Sequence, residues 1–339
     1  MSKRSSEQAG LSEAQKARYD RQIRVWGAEA QERIQSARVL LCGLRGLNAE
    51  AAKNIVLAGM SVCVQDSGKV TRGDLSSSGY FIQNCDEGKD MVDAALPRIQ
   101  ELNTFAKVSG EKKTLNELDD DFYLGFSVIC IADASEDDVC RISDICRSKS
   151  NDSIIMMASW AYGQEGMFIS DFGSNFQYKE DERPNYVPTV QTMAFPSIKD
   201  VLQIQWNKMQ KGKFLPLSSV YVKAGILSKW KNIQTKNEQH VTAKIALEQN
   251  GIADDYFTES DLNALQRVSA ISSATVVSIL GSFLAQEIVK GVSKIGEPAF
   301  NTHIFTRGLN SVQVYPMNET MTAPANKAQV ATVQKFVEL

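Results

Sequence analysis

An apolar segment, a glycine turn and a helix-forming segment follow one another near the start of this chain. The apolar segment covers 37–42 (Ala-Arg-Val-Leu-Leu-Cys), the turn contains Gly43 and Gly46, and the helical segment covers 49–58. This order is the context in which a nucleotide-binding turn forms at the carboxyl end of a buried strand. We therefore predict an α/β fold whose turn faces a crevice.

Two glycines that such a turn normally contains are replaced. The pattern G-x-G-x-x-G would place its second and third glycines at 45 and 48, where this chain has Arg45 and Asn48. The second glycine lets the backbone approach a pyrophosphate closely, and an arginine side chain would occupy that space. The sequence therefore indicates a non-catalytic relative of a nucleotide-using enzyme.

Strand and helix patterns alternate from 37 to about 170. After the first strand and helix come a strand at 61–66, a helix at 88–103, a strand at 126–132, a helix at 136–148 and a strand at 153–158. A nearly all-apolar helix is predicted at 268–292, and two strands at 301–306 and 311–315 close the sheet. This alternation predicts a doubly wound, mostly parallel, Rossmann-like sheet.

Composition divides the chain into four parts. The α/β domain takes 12–170 and 266–316, and it starts with a helical stretch at 12–36 that Ser12 caps. The segment 171–265 is richer in proline and polar residues, which predicts a small helical or irregular insertion with helices at 198–210, 218–233 and 240–250. Residues 1–11 are predicted to be disordered, and 317–339 form a flexible tail.

Charge and cysteine content exclude several classes of function. The net charge of −3 provides no general attraction to nucleic acid or anionic lipid. No apolar run approaches the roughly 20 residues that span a bilayer, so neither a membrane nor a nucleic acid is an expected partner. The six cysteines form no C-x-x-C pair, which argues against structural zinc and favours reduced thiols.

Three segments carry a resemblance to a known family. They are Tyr19-Asp20-Arg21-Gln22-Ile23-Arg24-Val25-Trp26-Gly27, the Gly43/Gly46 turn with Glu50, Lys53 and Asn54, and Leu284-Ala285-Gln286-Glu287-Ile288-Val289-Lys290. Together they resemble the ubiquitin-like-modifier activating enzymes, which share the adenylation fold of the bacterial ThiF/MoeB proteins. The resemblance covers about 12–170 and 266–316, so it implies a pseudo-adenylation domain with that fold.

Within this family the chain most resembles the smaller, regulatory subunits of heterodimeric SUMO-activating enzymes. The related neddylation subunit is longer because it contains a large inserted domain. The resemblance implies a catalytic partner subunit that binds ATP and Mg²⁺, adenylates the carboxy-terminal glycine of SUMO and then captures it on its own cysteine. It also implies residence in the nucleus and cytoplasm.

The departures from catalytic members concern the residues that hold ATP. Those members follow the second strand with D-x-D and then an asparagine and an arginine. Here Asp66 is kept, Gly68 replaces the second acid, and serines occupy 76–78. Met91 stands at the position of the phosphate-binding lysine, and the neighbouring Lys89 is either a substitute or a solvated lysine. The resemblance therefore implies a degenerate pocket around Gly43, Gly46 and Asp66.

Other candidate chemistry in the chain is weak. Asp133 matches a magnesium-binding aspartate of catalytic members, but a strand-end aspartate that caps the helix at 136 is the simpler interpretation, and no metal site is predicted. Residues 171–265 contain no cysteine, so a thioester-forming thiolate is absent there. His240 and His303 are predicted in a polar linker and at a strand edge, which gives no nucleophile–histidine pair.

Arg21 is the predicted catalytic contribution of this chain. In the family, the arginine of the opening helix reaches across the dimer to the γ-phosphate in the partner's pocket, where a planar cation neutralises charge as phosphate bonds rearrange. The simpler alternative for Arg21 is a surface salt bridge with Asp20 or Glu29. Gln22 and Arg24 are weaker candidates for the same role.

Three alternative functions remain at this stage. Asp66 lies about 20 residues past the turn, where the ribose-binding acid of a nicotinamide-dependent oxidoreductase is found; Arg45 and Asn48 argue against this function. A self-sufficient ThiF/MoeB-like homodimer would need the residues lost at Gly68 and Met91. A regulatory subunit for another ubiquitin-like modifier would have the same pattern.

Overall fold

The structure is a computed structural model that describes residues 10–77, 81–150, 153–180, 189–210, 219–269, 271–299, 302–305 and 312–315. The predicted disorder at 1–11, except for its last two residues, and the predicted tail at 317–339 lie outside this part of the chain.

The opening stretch is helical but divided into three. Helix α1 covers Glu13–Arg18, α2 covers Asp20–Trp26 and α3 covers Ala28–Ser36. The predicted cap is confirmed, because the Ser12 hydroxyl accepts a hydrogen bond from the backbone N–H of Gln15. Gly27 has φ +86°, a left-handed value that ends one helix and turns the chain into the next.

An eight-stranded sheet forms the centre of the protein. Its strands, in spatial order, are β10 (Val312–Tyr315), β9 (Thr302–Phe305), β6 (Glu165–Asp171), β5 (Ile155–Tyr162), β4 (Val128–Ala132), β1 (Arg38–Cys42), β2 (Ser61–Gln65) and β3 (Val108–Glu111). The last five are parallel, while β6, β9 and β10 pair antiparallel. The mostly parallel sheet and its two closing strands are confirmed.

Helices cover both faces because successive strand residues point to opposite sides. Val39 and Leu41 face a core shared with α4 (Leu47–Ala58), α6 (Met91–Leu102) and α13 (Ala274–Ser293). Leu40 and Cys42 face the other core, which contains residues of six further helices. These are α7 (Asp120–Leu124), α8 (Glu136–Ser148), α9 (Ile198–Leu202), α10 (Ser219–Trp230), α11 (Lys236–Gln249) and α12 (Glu259–Val268). The short helix α5 (Asp74–Ser77) follows β2.

The apolar helix near the end of the chain starts later than predicted. Residue 268 ends α12, and α13 begins at Ala274. With 20 residues and a mean hydropathy of 1.3, α13 is long and apolar enough to cross a membrane, so the statement that no segment reaches this length was wrong. In the structure 56% of its most apolar window is buried inside the protein, as in a core helix.

The predicted insertion is joined closely to the sheet. The helix predicted at 198–210 is divided into α9 and a 3₁₀ turn at Trp206–Gln210, and residues Phe176–Lys179 (β7) and Val190–Met193 (β8) form a small separate sheet. Helix α10 is fixed by Lys223, which pairs with Glu165 of β6 at 2.8 Å, and by Lys229, which pairs with Glu136 of α8 at 2.7 Å. The domain limits at 171 and 265 stay a prediction.

Candidate functional site: a filled nucleotide crevice

The glycine turn lies where the strand order of the sheet reverses. Strands β1 and β4 are parallel neighbours, and the chain leaves them toward opposite halves of the sheet. Crevices at such switch points are the usual ligand sites of open α/β sheets. Gly43 (φ +80°) and Gly46 (φ +50°) both have left-handed backbone conformations, and Gly46 precedes the first residue of α4. The predicted turn is therefore present.

Asp66 lies next to this turn, and both oxygens of its carboxylate accept hydrogen bonds from backbone N–H groups. One oxygen accepts the N–H of Leu44 at 3.0 Å, and the other accepts the N–H of Gly68 at 2.8 Å. The side chain is 8% exposed. Asp66 thus ties the end of β2 to the turn, and its role in the described structure is to shape the backbone.

Arg45 lies across the loop that follows β2. Its Nε is 3.0 Å from Oδ1 of Asp74, whose side chain is 8% exposed. A Cβ built on Gly68 would be only 2.8 Å from Nη2 of Arg45. Because Gly68 replaces the second acid of catalytic members, the guanidinium fills the space that an aspartate side chain would need.

The side chain of Asn48 is buried between the ends of β1 and β4. Its buried side-chain amide lies within hydrogen-bond distance of the carbonyls of Cys42 and Gly43 after β1, at 3.0 and 3.1 Å, and of Cys130 in β4, at 3.1 Å. The amide therefore joins the two strands at the switch point. Apart from the missing glycine, no sequence pattern indicated this role.

A buried core residue stands where catalytic members have the phosphate-binding lysine. Met91 is fully buried at the start of α6. The Lys89 ammonium is 2.9 Å from the Asp86 carboxylate, and the hydrogen bond to Asp86 raises the pKa of Lys89. Lys89 is thus a paired surface lysine, as the simpler interpretation has it. The side chains of Ser76 and Ser77, and all of Ser78, lie outside the described residues.

Asp133 lies at the end of β4, but it does not cap the following helix. The cap of α8 is Ser135, whose hydroxyl accepts the N–H of Asp138, so the capping prediction was wrong. Asp133 instead accepts the N–H of Ala161 at 3.1 Å and has φ +50°, unusual for a residue with a side chain. Burial raises the pKa of its carboxyl, and the charge of Lys231 partly offsets this effect.

Arg21 lies on the exposed side of α2, apart from the contacts of the crevice. Both acids that could have paired with it are paired elsewhere. Asp20 is 2.9 Å from Arg24, and Glu29 is 2.7 Å from Arg33. The salt bridge considered for Arg21 is therefore not formed, and within the described residues its guanidinium has no ion-pair partner. Tyr19 of the same segment is buried, and its hydroxyl accepts a hydrogen bond from Asn103 at 2.8 Å.

The remaining titratable groups offer little alternative chemistry. Burial raises the pKa of the Cys42 and Cys130 thiols, which disfavours thiolate formation. His240 lies in α11 rather than in a linker, and His303 lies in β9, which is paired on both sides and is not an edge. Among the residues that the structure describes, no three histidine, cysteine, aspartate or glutamate side chains are grouped to hold a metal.

A sequence profile of the ThiF family matches residues 19–330, which is most of the chain. The chain belongs to the ThiF family. The crystal structure of E. coli MccB with succinimide has the same fold, with a TM-score of 0.52 and 15% identity over 88% of this chain and 71% of that one. The predicted adenylation fold is confirmed.

Several curated relatives of this ThiF-family chain have the same name. SUMO-activating enzyme subunit 1 of Danio rerio is 30% identical over 327 residues, covering 87% of this chain and 92% of that protein. The Homo sapiens protein of the same name is 28% identical over 330 residues, covering 88% and 94%. That of Dictyostelium discoideum is 29% identical over 303 residues, covering 84% and 88%.

Proposed function

We propose that this chain is the non-catalytic subunit of a heterodimeric SUMO-activating enzyme. The observation that carries the proposal is the crevice: the family's nucleotide turn is kept, while Arg45 and Asn48 fill the space around it. The match to proteins named SUMO-activating enzyme subunit 1 extends over nearly their whole length and supports the same assignment.

The residues in this crevice do not fit ATP. A nucleotide at such a turn is held by a backbone that its phosphates can approach and by a ribose-binding carboxylate, and catalytic members of the family add a lysine. In this chain the second glycine is replaced by Arg45, which extends across the loop after β2, both Asp66 oxygens accept backbone N–H groups, and Met91 is buried at the lysine position. ATP and Mg²⁺ are therefore assigned to the partner subunit, where the carboxy-terminal glycine of SUMO is adenylated.

Arg21 is the group that this chain offers to the partner. An exposed guanidinium without an ion-pair partner among the described residues keeps its charge available. A fixed cation placed at a triphosphate stabilises the negative charge that shifts during phosphoryl or nucleotidyl transfer. Because Arg21 would act in trans, adenylation would depend on assembly of the heterodimer.

The thioester step also falls to the partner. Residues 171–265 contain no cysteine, and a thiolate is required to accept the activated carboxyl group. The heterodimer would therefore transfer SUMO to a cysteine of the catalytic subunit. We further propose residence in the nucleus and cytoplasm, to be tested by imaging the tagged chain in cells.

SUMO-dependent exchange between ATP and radiolabelled pyrophosphate tests the proposal. The assay is run with this chain alone, with the catalytic subunit alone and with the two mixed. We expect strong exchange only in the mixture. Strong exchange by this chain alone would instead indicate a self-sufficient adenylating enzyme, and equal exchange by the partner alone would remove the requirement for this subunit.

A further inference from the structure

The helices α11 and α12 enclose a surface groove that the proposed function does not use. It has a volume of about 350 Å³. Phe257, in the segment that joins the two helices, and Leu262 of α12 are buried and provide an apolar floor. None of the groove residues belongs to the nucleotide turn or to the opening helices.

Val241 lines one wall of the groove, and two further exposed apolar side chains, which are not lining residues themselves, extend this apolar stripe on the surface. Val241 of α11 is 57% exposed, and Ile245, one turn further along the same helix face, is 46% exposed. Tyr256, next to Phe257, is 39% exposed. Large apolar side chains that cluster on a surface are a feature of interaction sites.

The opposite rim is acidic. Asp254, Asp255 and Glu259 line it, and Lys244 is the one cation among the described lining residues. No ion pair is formed by these four side chains within the described part of the chain. The lining side chains therefore carry a net negative charge beside the apolar stripe.

His240 lines the groove with part of its ring. Its Nε2 is shielded from solvent and has no hydrogen-bond partner in the described structure. Because this atom is not accessible from the groove, the apolar floor and the acidic rim are the features that a bound segment would contact.

We propose that this groove binds a short protein segment that inserts an apolar side chain beside Val241 and Phe257 and is flanked by lysine or arginine. The apolar floor favours an apolar anchor residue, and the three carboxylates favour basic residues on either side of it. Nucleic acid and anionic lipid are disfavoured because they would meet the same net negative charge. The interaction surface is separate from the crevice, so it stands whether or not the proposed function is correct.

Fluorescence anisotropy with a defined peptide tests this site. The probe is a fluorescein-labelled peptide with two central leucines and three lysines on each side, titrated with the full-length chain. We expect saturable binding that weakens at higher salt, because screening reduces the attraction to the rim. A matched peptide with alanines in place of the leucines is expected to bind roughly tenfold more weakly, since it lacks the anchor.

Two groove variants separate docking from simple charge attraction. Val241→Asp adds a negative charge, so non-specific attraction of the peptide would increase, whereas docking is expected to weaken by at least about tenfold. The combined variant Asp254→Asn, Asp255→Asn, Glu259→Gln is expected to lose most of the salt dependence. Val190→Asp, at a valine of β8 that is 60% exposed, is the matched control and should bind like the unmodified chain.

Several outcomes would overturn the proposal. These are binding by Val241→Asp as tight as that of the unmodified chain, no saturable binding at all, or sedimentation that shows the groove joining two copies of the chain. Binding that appears only after Phe214 and Leu215 are replaced by serine would assign the groove to residues 211–218 of the chain itself. Circular dichroism confirms that each variant is folded.

Discussion

The Arg45 guanidinium occupies space that would be open in a nucleotide-binding turn with glycine at position 45. It pairs with the buried Asp74, and it lies where a side chain at position 68 would extend. An acidic side chain at position 68 would require the end of the Arg45 side chain to move from its present place. The arginine at 45 and the glycine at 68 are thus compatible with each other in this structure.

Replacing Arg21 with alanine tests the main catalytic assignment. We expect SUMO-dependent pyrophosphate exchange by the heterodimer to fall roughly 10²–10³-fold, because one fixed electrostatic contact to the transition state is lost. Thermal stability should not change, since Arg21 makes no ion pair within the described residues. Arg72→Ala, at an exposed arginine paired with Glu87 outside the opening helices, is the control. Unchanged exchange by Arg21→Ala would remove the proposed role.

Asp86 makes stability depend on pH. Its carboxylate accepts hydrogen bonds from Lys89, the backbone N–H of Gln83 and Arg98, and these contacts hold the pKa of Asp86 well below its usual range. A carboxyl group with a lowered folded-state pKa stabilises the protein above its unfolded pKa of about 3.9 and loses this contribution as the pH falls toward the folded value.

The variant Asp86→Asn should therefore be less stable than the unmodified chain at pH 7. The difference in urea midpoint is expected to shrink below about pH 4, because the carboxyl then takes up a proton in the unfolded chain while the folded chain still keeps it ionised. Asp93→Asn, at an exposed aspartate paired with Lys112, is the control and should show a smaller difference at pH 7. A midpoint difference for Asp86→Asn that stays constant from pH 7 to pH 3 would contradict this account.

At the scale of elements, the crossing of α4 and α13 depends on one glycine. A Cβ on Gly281 would be 2.6 Å from Cβ of Glu50 and 3.1 Å from the backbone oxygen of Leu47. Glu50 is buried and ion-paired with Lys53, so it has little room to move. The two helices can therefore approach closely only because position 281 lacks a side chain.

Gly281→Ala should destabilise the chain by about 1–3 kcal/mol, although alanine favours helix, because the methyl group would overpack the crossing. Chemical denaturation measures the change. Gly125→Ala is the control, since a Cβ there meets its nearest atom at an ordinary 3.4 Å. A stabilised Gly281→Ala would show that the helices separate at little cost.

The sequence predicted the elements better than their contacts. The strand–turn–helix at 37–58 and the alternation after it were sufficient for a parallel sheet, since both are local patterns. The pairing of Arg45 with Asp74 joins side chains from separate loops, and no local pattern contains it. Likewise, aspartate is a residue type that often caps helices, but the positive φ of Asp133 directs its side chain to the N–H of Ala161 in the neighbouring strand.

At the scale of the whole molecule, the opening helices present an apolar surface beside Arg21. Val25, one helical turn after Arg21, is 76% exposed, and Phe105, in the loop after α6, is 41% exposed. The ring of Phe105 lies 6.5 Å from that of the buried Tyr19, which places it next to the start of α2. Because Arg21 would have to reach the partner's nucleotide, we expect this face of α2, with Val25 on it, to belong to the subunit interface.

Val25→Asp should therefore weaken assembly with the catalytic subunit. Burial of a valine side chain contributes about 1.5–3 kcal/mol, so replacing it with a charged residue is expected to raise the Kd roughly 10–100-fold or more. Isothermal titration calorimetry measures the Kd, and Val190→Asp, which carries the same change at an exposed valine of β8, is the control.

Comparison with Arg21→Ala separates assembly from chemistry. Val25→Asp is expected to recover exchange when the partner is supplied in excess, because it changes only the fraction of heterodimer. Arg21→Ala is expected to keep the Kd within about threefold and to remain slow at saturation, because the missing guanidinium acts on the bound nucleotide. If Val25→Asp assembles normally, the partner binds elsewhere on this chain, and Arg21 loses the interface that would bring it to the nucleotide.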